Sequence, residues 1–126
     1  QLHWLDDQLK QSDSDIEIIF MHMPLYGGAG IVADKKGQVV DDDTLNMECS
    51  LADVLEENSS VKMIFSGHKH RNVIYRYRIS DDYEVSYVET GAFGYDNNNW
   101  RLVRLTEDGI IVSLPGGAGQ EFILRH

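Results

Sequence analysis

Leu2, Leu5 and Leu9 recur at helical spacing, with Asp6, Asp7 and Lys10 on the other faces. This pattern predicts an amphipathic helix over residues 2–11. The polar run Ser12-Asp13-Ser14-Asp15 is a turn. Residues 16–20 (Ile-Glu-Ile-Ile-Phe) form a short apolar, β-branched run, as expected of a buried strand. A second helix is predicted over residues 50–57, with Leu51, Val54 and Leu55 inward and Ser50 as its N-cap. Asn58-Ser59-Ser60 ends it, and residues 61–65 make the next apolar strand. Beyond His70 the period changes to two. Val73, Tyr75, Tyr77 and Ile79 alternate with Ile74, Arg76 and Arg78, Asp81-Asp82 marks a hairpin turn, and residues 83–90 return. A second hairpin joins residues 100–105 to 110–114 around Glu107-Asp108-Gly109, and a last strand covers 121–124. Gly116-Gly117-Ala118-Gly119 reads as a flexible connection. The order is that of an α/β chain: helix, strand, helix, strand, then antiparallel strands.

Two apolar strands run directly into histidines. Met21-His22-Met23-Pro24 follows the first, and Ser66-Gly67-His68-Lys69-His70 follows the second. Imidazole nitrogen suits Zn, Fe, Mn and related ions. His68 and His70 are two residues apart, and in an extended segment they point to the same side. Gly67 permits a sharp bend where strand becomes loop, and Pro24 stiffens the loop after His22. With the two strands parallel and joined through the second helix, all three imidazoles emerge at one carboxyl edge, where open α/β sheets build their sites. Loop histidines without a ligand are the plainer reading, and His3, beside Trp4 on the first helix, and the terminal His126 fit that reading better.

Composition sharpens this picture. The chain has 126 residues, 42% of them hydrophobic, which suits one domain or part of one. Eleven basic against 21 acidic residues give a formal charge of -10. That argues against a nucleic-acid backbone or an anionic membrane as partner. It also repels an anionic substrate unless bound cations reverse the local field. No apolar stretch approaches a membrane span. The single cysteine, Cys49, excludes an internal disulfide and lacks the basic neighbours of a reactive thiol. The chain starts Gln1-Leu2-His3-Trp4, already helical and without Met, and reads as the interior of a longer protein.

In order along the chain, Gln1-x-x-Trp4-Leu5-x-x-x-Leu9, Phe20-Met21-His22-Met23-Pro24, Phe65-Ser66-Gly67-His68-Lys69-His70, the segment from Tyr87 to Gly94, and Trp100-Arg101-Leu102-Val103 resemble the C-terminal half of calcineurin-like metallophosphoesterases. The resemblance covers nearly the whole chain. It implies that residues 1–126 are the C-terminal portion of a layered α-β-β-α sandwich. It further implies a dinuclear centre of two divalent or trivalent ions (Fe, Mn or Zn). His22 and His68 bind one ion and His70 the other, with no catalytic residue in this chain beyond these ligands. The substrate is a phosphate ester, hydrolysed by metal-activated attack on phosphorus. Two such ions also answer the charge problem. The family's Asp-x-His, Gly-Asp-x-x-Asp and Gly-Asn-His motifs do not occur in this chain. The expectation is a segment inactive by itself that donates three histidines to its parent enzyme. Unpaired strand edges would leave the isolated chain marginally stable or self-associating.

The alternative from a different class is a non-catalytic metal- or protein-binding module that keeps the fold. Other features add little. Asp41-Asp42-Asp43 with Glu48 lacks the spacing of a calcium loop and reads as a solvated acidic loop. Gly27-Gly28-Ala29-Gly30 lacks the Gly-Lys-Ser/Thr of a phosphate loop, though it follows His22 and Tyr26 closely enough to border a cleft. Lys69 and Arg71 are candidates to meet a phosphate or to remain surface charges, and Asn72 to orient the histidine loop. Tyr75, Tyr77, Tyr87, Phe93 and Trp100 read as strand packing. No Gly-x-Ser-x-Gly elbow is present.

Overall fold

A computed structural model of the chain describes residues 1–22, 51–117 and 119–125. Ser50, Cys49, the Gly27 to Gly30 loop, the acids Asp41 to Asp43 with Glu48, Pro24, Tyr26 and His126 lie outside these residues. Helix α1 spans Leu2–Gln11 and strand β1 Glu17–Phe20. Helix α2 spans Leu51–Glu57 and β2 Val61–Ser66. The β3 (Val73–Arg78) and β4 (Glu84–Glu89) hairpin follows. Strands β5 (Val103–Thr106), β6 (Gly109–Ser113) and β7 (Gln120–Arg125) complete the order.

The strands form two sheets. The first has the order β1-β2-β4-β3, and the second β5-β6-β7. In the first, β1, β2 and β4 are mutually parallel, and β3 returns antiparallel on β4. The second sheet is antiparallel throughout.

Consecutive residues of the first sheet serve opposite cores, as the period of two requires. Ile64, Val85 and Tyr87 join Leu9 of α1 and Leu51, Val54 and Leu55 of α2 on one face. Met63, Phe65 and Val88 join Ile110 and Val112 of the second sheet on the other. Burial on both faces explains why β2 carries consecutive apolar residues from Met63 to Phe65. Each such fully buried aliphatic side chain contributes roughly 1.5–3 kcal/mol. The molecule is therefore mixed α/β, with both helices on one face of the four-stranded sheet and the smaller sheet on the other. A second helical layer is not among the described residues.

Three local expectations change. β1 is not a fully buried strand: among the described residues it pairs with β2 alone, and Phe20 is 71% exposed although its ring stacks on Phe65 at 5.0 Å. Residues 100–102 precede β5 rather than belonging to it, and Phe93 and Trp100 stand exposed in the β4–β5 loop instead of packing in strands. The glycines after Leu114 are not a slack tether. Pro115–Gly117 is a tight turn in which Gly116 and Gly117 hold positive φ (76° and 75°), Gly116 donates its N–H to Trp100 O at 2.9 Å, and Gly117 lies so close under the Trp100 ring that a Cβ would fall 2.4 Å from it.

Candidate functional site

Parallel pairing decides where the histidines go. Phe20 is in register with Phe65, and Ser66 with Glu89, so β1, β2 and β4 all end at one edge. Backbone bonding continues past the strands. Met21 N–H reaches Phe65 O (2.9 Å), Gly67 N–H reaches His22 O (3.2 Å), and Thr90 N–H reaches Ser66 O (3.0 Å). His22 and Gly67 are thus stitched side by side, and the two histidine segments leave the sheet together.

The segment after Ser66 is not extended. Lys69 N–H donates to Gly67 O at 2.8 Å, closing a three-residue turn with His68 at its centre. His68 has φ 65°, and His70 has φ 55°. The three-residue hydrogen bond with positive φ at its centre is a feature of the rare γ-turn. Left-handed backbone at a non-glycine residue costs about 1–2 kcal/mol. The bend expected at Gly67 is therefore made by His68. Gly67 keeps a negative or extended φ, and a Cβ there would meet only Thr90 O, at an ordinary 3.9 Å. The expectation that His68 and His70 share one side through an extended strand fails for the same reason.

The rings part accordingly. His68 Nδ1 lies 3.2 Å from His22 Nε2, with the rings edge to face at 5.2 Å. His70 instead meets Tyr95, ring to ring at 4.9 Å. All three histidines and Lys69 are solvent-exposed. The structure brings His22 and His68 together and leaves His70 apart. Among the described residues no group of three or more His, Cys, Asp or Glu side chains could hold a metal ion.

Two imidazole nitrogens 3.2 Å apart have two chemical uses. One donates a proton to the other, or both lone pairs converge on a shared cation. Nitrogens about 2.0–2.1 Å from a tetrahedral ion sit roughly 3.3 Å apart. The His22–His68 pair therefore fits two ligand positions on one ion. His70 does not join that pair.

The polar residues around the turn are committed to holding it. Arg71 Nε donates to Glu89 Oε2 at 2.9 Å, so this cation is engaged inward rather than held ready for a substrate phosphate. Asn72 Oδ1 accepts from Gly91 N–H at 3.2 Å, and its Nδ2 donates to Asn99 Oδ1 at 2.8 Å. Asn99 in turn donates to Ala92 O at 3.0 Å. Beside His22 and Gly67 a cavity of about 280 Å³ is lined by Phe20, Met21, Phe65, Ser66, Thr90, Arg101 and Val103. Arg101 is held by Thr90 Oγ1 (3.1 Å) and Ser113 O (3.1 Å), and the Ser66 and Tyr87 hydroxyls bond to each other.

Glu89 and Tyr95 are the site residues that sequence reasoning missed. Glu89 carried a signal, a lone acid closing the otherwise uncharged run Val85-Ser86-Tyr87-Val88. Tyr95 carried none, because its contact with His70 depends on how the β4–β5 loop folds back.

With this geometry in view, the chain is similar to serine/threonine-protein phosphatase CPPED1 of Mus musculus (31% identical over 117 residues), Bos taurus (35% over 115) and Homo sapiens (32% over 117). The matches cover 88%, 86% and 88% of this chain but only 35%, 34% and 35% of those proteins. The chain spans about a third of the length of the curated relatives it matches. No protein-family profile matches it, and no solved structure does. The kinship with phosphoesterases read from the histidine segments is supported at the level of these relatives.

Proposed function

We propose that this chain is the C-terminal, histidine-donating part of a metal-dependent phosphoesterase. The observation that carries the reading is the His22 Nε2–His68 Nδ1 approach of 3.2 Å at the carboxyl edge of a parallel strand pair. The phosphatase names of the relatives supply the reaction class. In this reading His22 and His68 hold one ion and His70 helps hold a second, both Fe, Mn or Zn, with the remaining ligands supplied from outside this chain. When bound, such ions stabilise the charge developing on the phosphoryl oxygens. They also let a phosphate ester approach a chain of formal charge -10.

The chain's own residues orient and present. The turn at His68 aims its Nδ1 at His22, and the backbone bond from Gly67 to His22 fixes the spacing of the two rings. In this reading Lys69, exposed between the two turn histidines, meets the anionic substrate. The substrate class proposed is a phosphoserine or phosphothreonine ester, following the relatives' names.

The test uses the full-length protein, its metal content and its hydrolysis of a phosphoserine peptide. His22→Ala and His68→Ala should each lower kcat/KM by about 100-fold or more and remove bound metal, exceeding the effect of losing a supporting residue. Retained metal and retained turnover in both variants would sink the assignment. Metal bound by the wild type without turnover of any phosphate ester would favour a non-catalytic metal-binding module instead.

A further inference from the structure

We infer that Glu89 is a positioning residue for the histidine turn, acting through Arg71 to hold His68 where it meets His22. The inference deepens the proposed function and rests on it for what the turn is for; its geometry stands apart from any metal.

Glu89 is completely buried, between Ser66 of β2 and Val73 of β3, at the last position of β4. Burying a carboxylate is costly even when it is paired, and replacing a buried ion pair by apolar side chains is often neutral or stabilising. Stability alone therefore does not account for a glutamate here. Its pairing is also incomplete: Oε2 receives Arg71 Nε, while buried Oε1 has no hydrogen-bond partner among the described residues.

What Glu89 does hold is the histidine loop. The loop runs from Ser66 to Val73 and contains two non-glycine residues in the left-handed region. Such backbone persists only where the surroundings over-determine it. The first half of the loop is fixed by backbone, through Gly67 N–H to His22 O and Lys69 N–H to Gly67 O. The second half is fixed by side chains, Arg71 to Glu89 and Asn72 to Gly91. Arg71 directly follows His70, so its anchor sets where the left-handed segment must end. A short unpaired loop released at that point would relax His68 and His70 toward ordinary backbone and turn the His68 ring away from His22.

The experiment reads the ring pair directly. In metal-free, full-length protein carrying isotope-labelled histidine, the wild type should give a nuclear Overhauser cross-peak between the His22 and His68 rings, whose centroids are 5.2 Å apart. Glu89→Leu and Arg71→Met should each abolish it while the protein still unfolds cooperatively. Glu89→Gln, which retains an acceptor for Arg71, should keep it. Mn²⁺, titrated as the probe, should bind about 10–100-fold more weakly to the two apolar variants, and no more weakly to their double variant. An unchanged cross-peak in Glu89→Leu, or no cross-peak in the wild type, overturns the inference. Should Glu89→Leu fail to fold, Arg71→Met, on the half-exposed partner, decides it by the same two readings. A wild type that shows the cross-peak and binds no Mn²⁺ overturns the phosphoesterase reading and leaves this one supported.

Discussion

At the amino end of the four-stranded sheet a network of side-chain hydrogen bonds joins the elements over unstrained backbone, whereas at its carboxyl end the backbone is strained and a buried carboxylate oxygen stands open. At the amino end Asn58 Nδ2 donates to Val54 O (2.7 Å) and to Asp6 Oδ1 (3.0 Å). The Tyr83 hydroxyl donates to Val61 O at 2.7 Å, with Asn58 O also in reach at 3.2 Å. Ser60 bonds Glu17, and Lys10 bridges Asp6 and Glu57. The β3–β4 turn closes through Ile79 and Ser80 N–H to Tyr83 O, with no left-handed residue. At the carboxyl end two histidines hold positive φ, and Glu89 Oε1 lacks a partner. One sheet supports both ends. The difference shows which end carries stability and which end presents side chains, because strain of this kind persists only where the rest of the structure supports it.

The largest stability effect should come from breaking the amino-end network at Asn58. This side chain is buried, caps the Val54 carbonyl at the end of α2, and ties α2 to α1 through Asp6. Asn58→Ala strands that carbonyl and should cost about 1–3 kcal/mol in denaturant unfolding. It should also soften the acid response. Hydrogen bonds from Lys10 first, and Asn58 next, hold the Asp6 carboxyl below its usual range. The contribution of Asp6 is therefore present above the ordinary carboxylate range and lost as pH falls through its lowered value. Removing Asn58 should shrink that acid-side loss, read as a flatter stability profile below pH 4. An unchanged midpoint at neutral pH would mean the amino end is not where the sheet is anchored.

Much of the amino end was legible in the sequence, and much of the carboxyl end was not. Leu2, Leu5 and Leu9 showed α1 by period alone, and all three pack in the helix-side core. The change to period two after His70 announced the β3–β4 hairpin, which forms with Arg76 and Arg78 outward. The parallel β1–β2 pair followed from two apolar runs separated by a helix. Those features depend on local spacing and burial. The histidine turn depends on residues far away in sequence: Glu89 anchors Arg71 across 18 positions, and His22 meets His68 across 46. Spacing could mark the histidines as neighbours at one edge. It could not show that His68, not Gly67, would take the left-handed backbone, because a glycine is the cheaper residue for it and was adjacent.

A smaller effect should follow from Tyr83→Phe. The substitution keeps the ring packed and removes the bond to Val61 O, so about 1 kcal/mol of stability should go at neutral pH. Its sharper reading is at high pH. Burial, with a further push from the Glu17 charge, raises the Tyr83 phenol above the usual tyrosine range. A group whose folded pKa is raised contributes stability that is complete below its unfolded value, about 10 for tyrosine, and lost as pH rises beyond it. The wild type should lose stability on that side, and Tyr83→Phe should lose less. An equal alkaline slope in both proteins would place the titrating group elsewhere.

The smallest effect is the one that separates the two ends most cleanly. His68→Ala and His68→Gly both remove the imidazole, so the difference between them isolates the backbone. At φ 65° a Cβ costs about 1–2 kcal/mol, and the extra freedom of glycine in the unfolded chain returns roughly 0.5–1 kcal/mol of that. His68→Gly should therefore be more stable than His68→Ala by up to about 1.5 kcal/mol. The same pair of substitutions at Ser80, in the unstrained turn at the opposite end, should reverse in order, since Ser80 has no positive φ and glycine there adds only unfolded-state freedom. Comparing the two differences cancels whatever the lost side chains contributed. If alanine were the more stable choice at both positions, His68 would not be holding strained backbone, and the contrast between an unstrained and a strained end of this sheet would fail at its central residue.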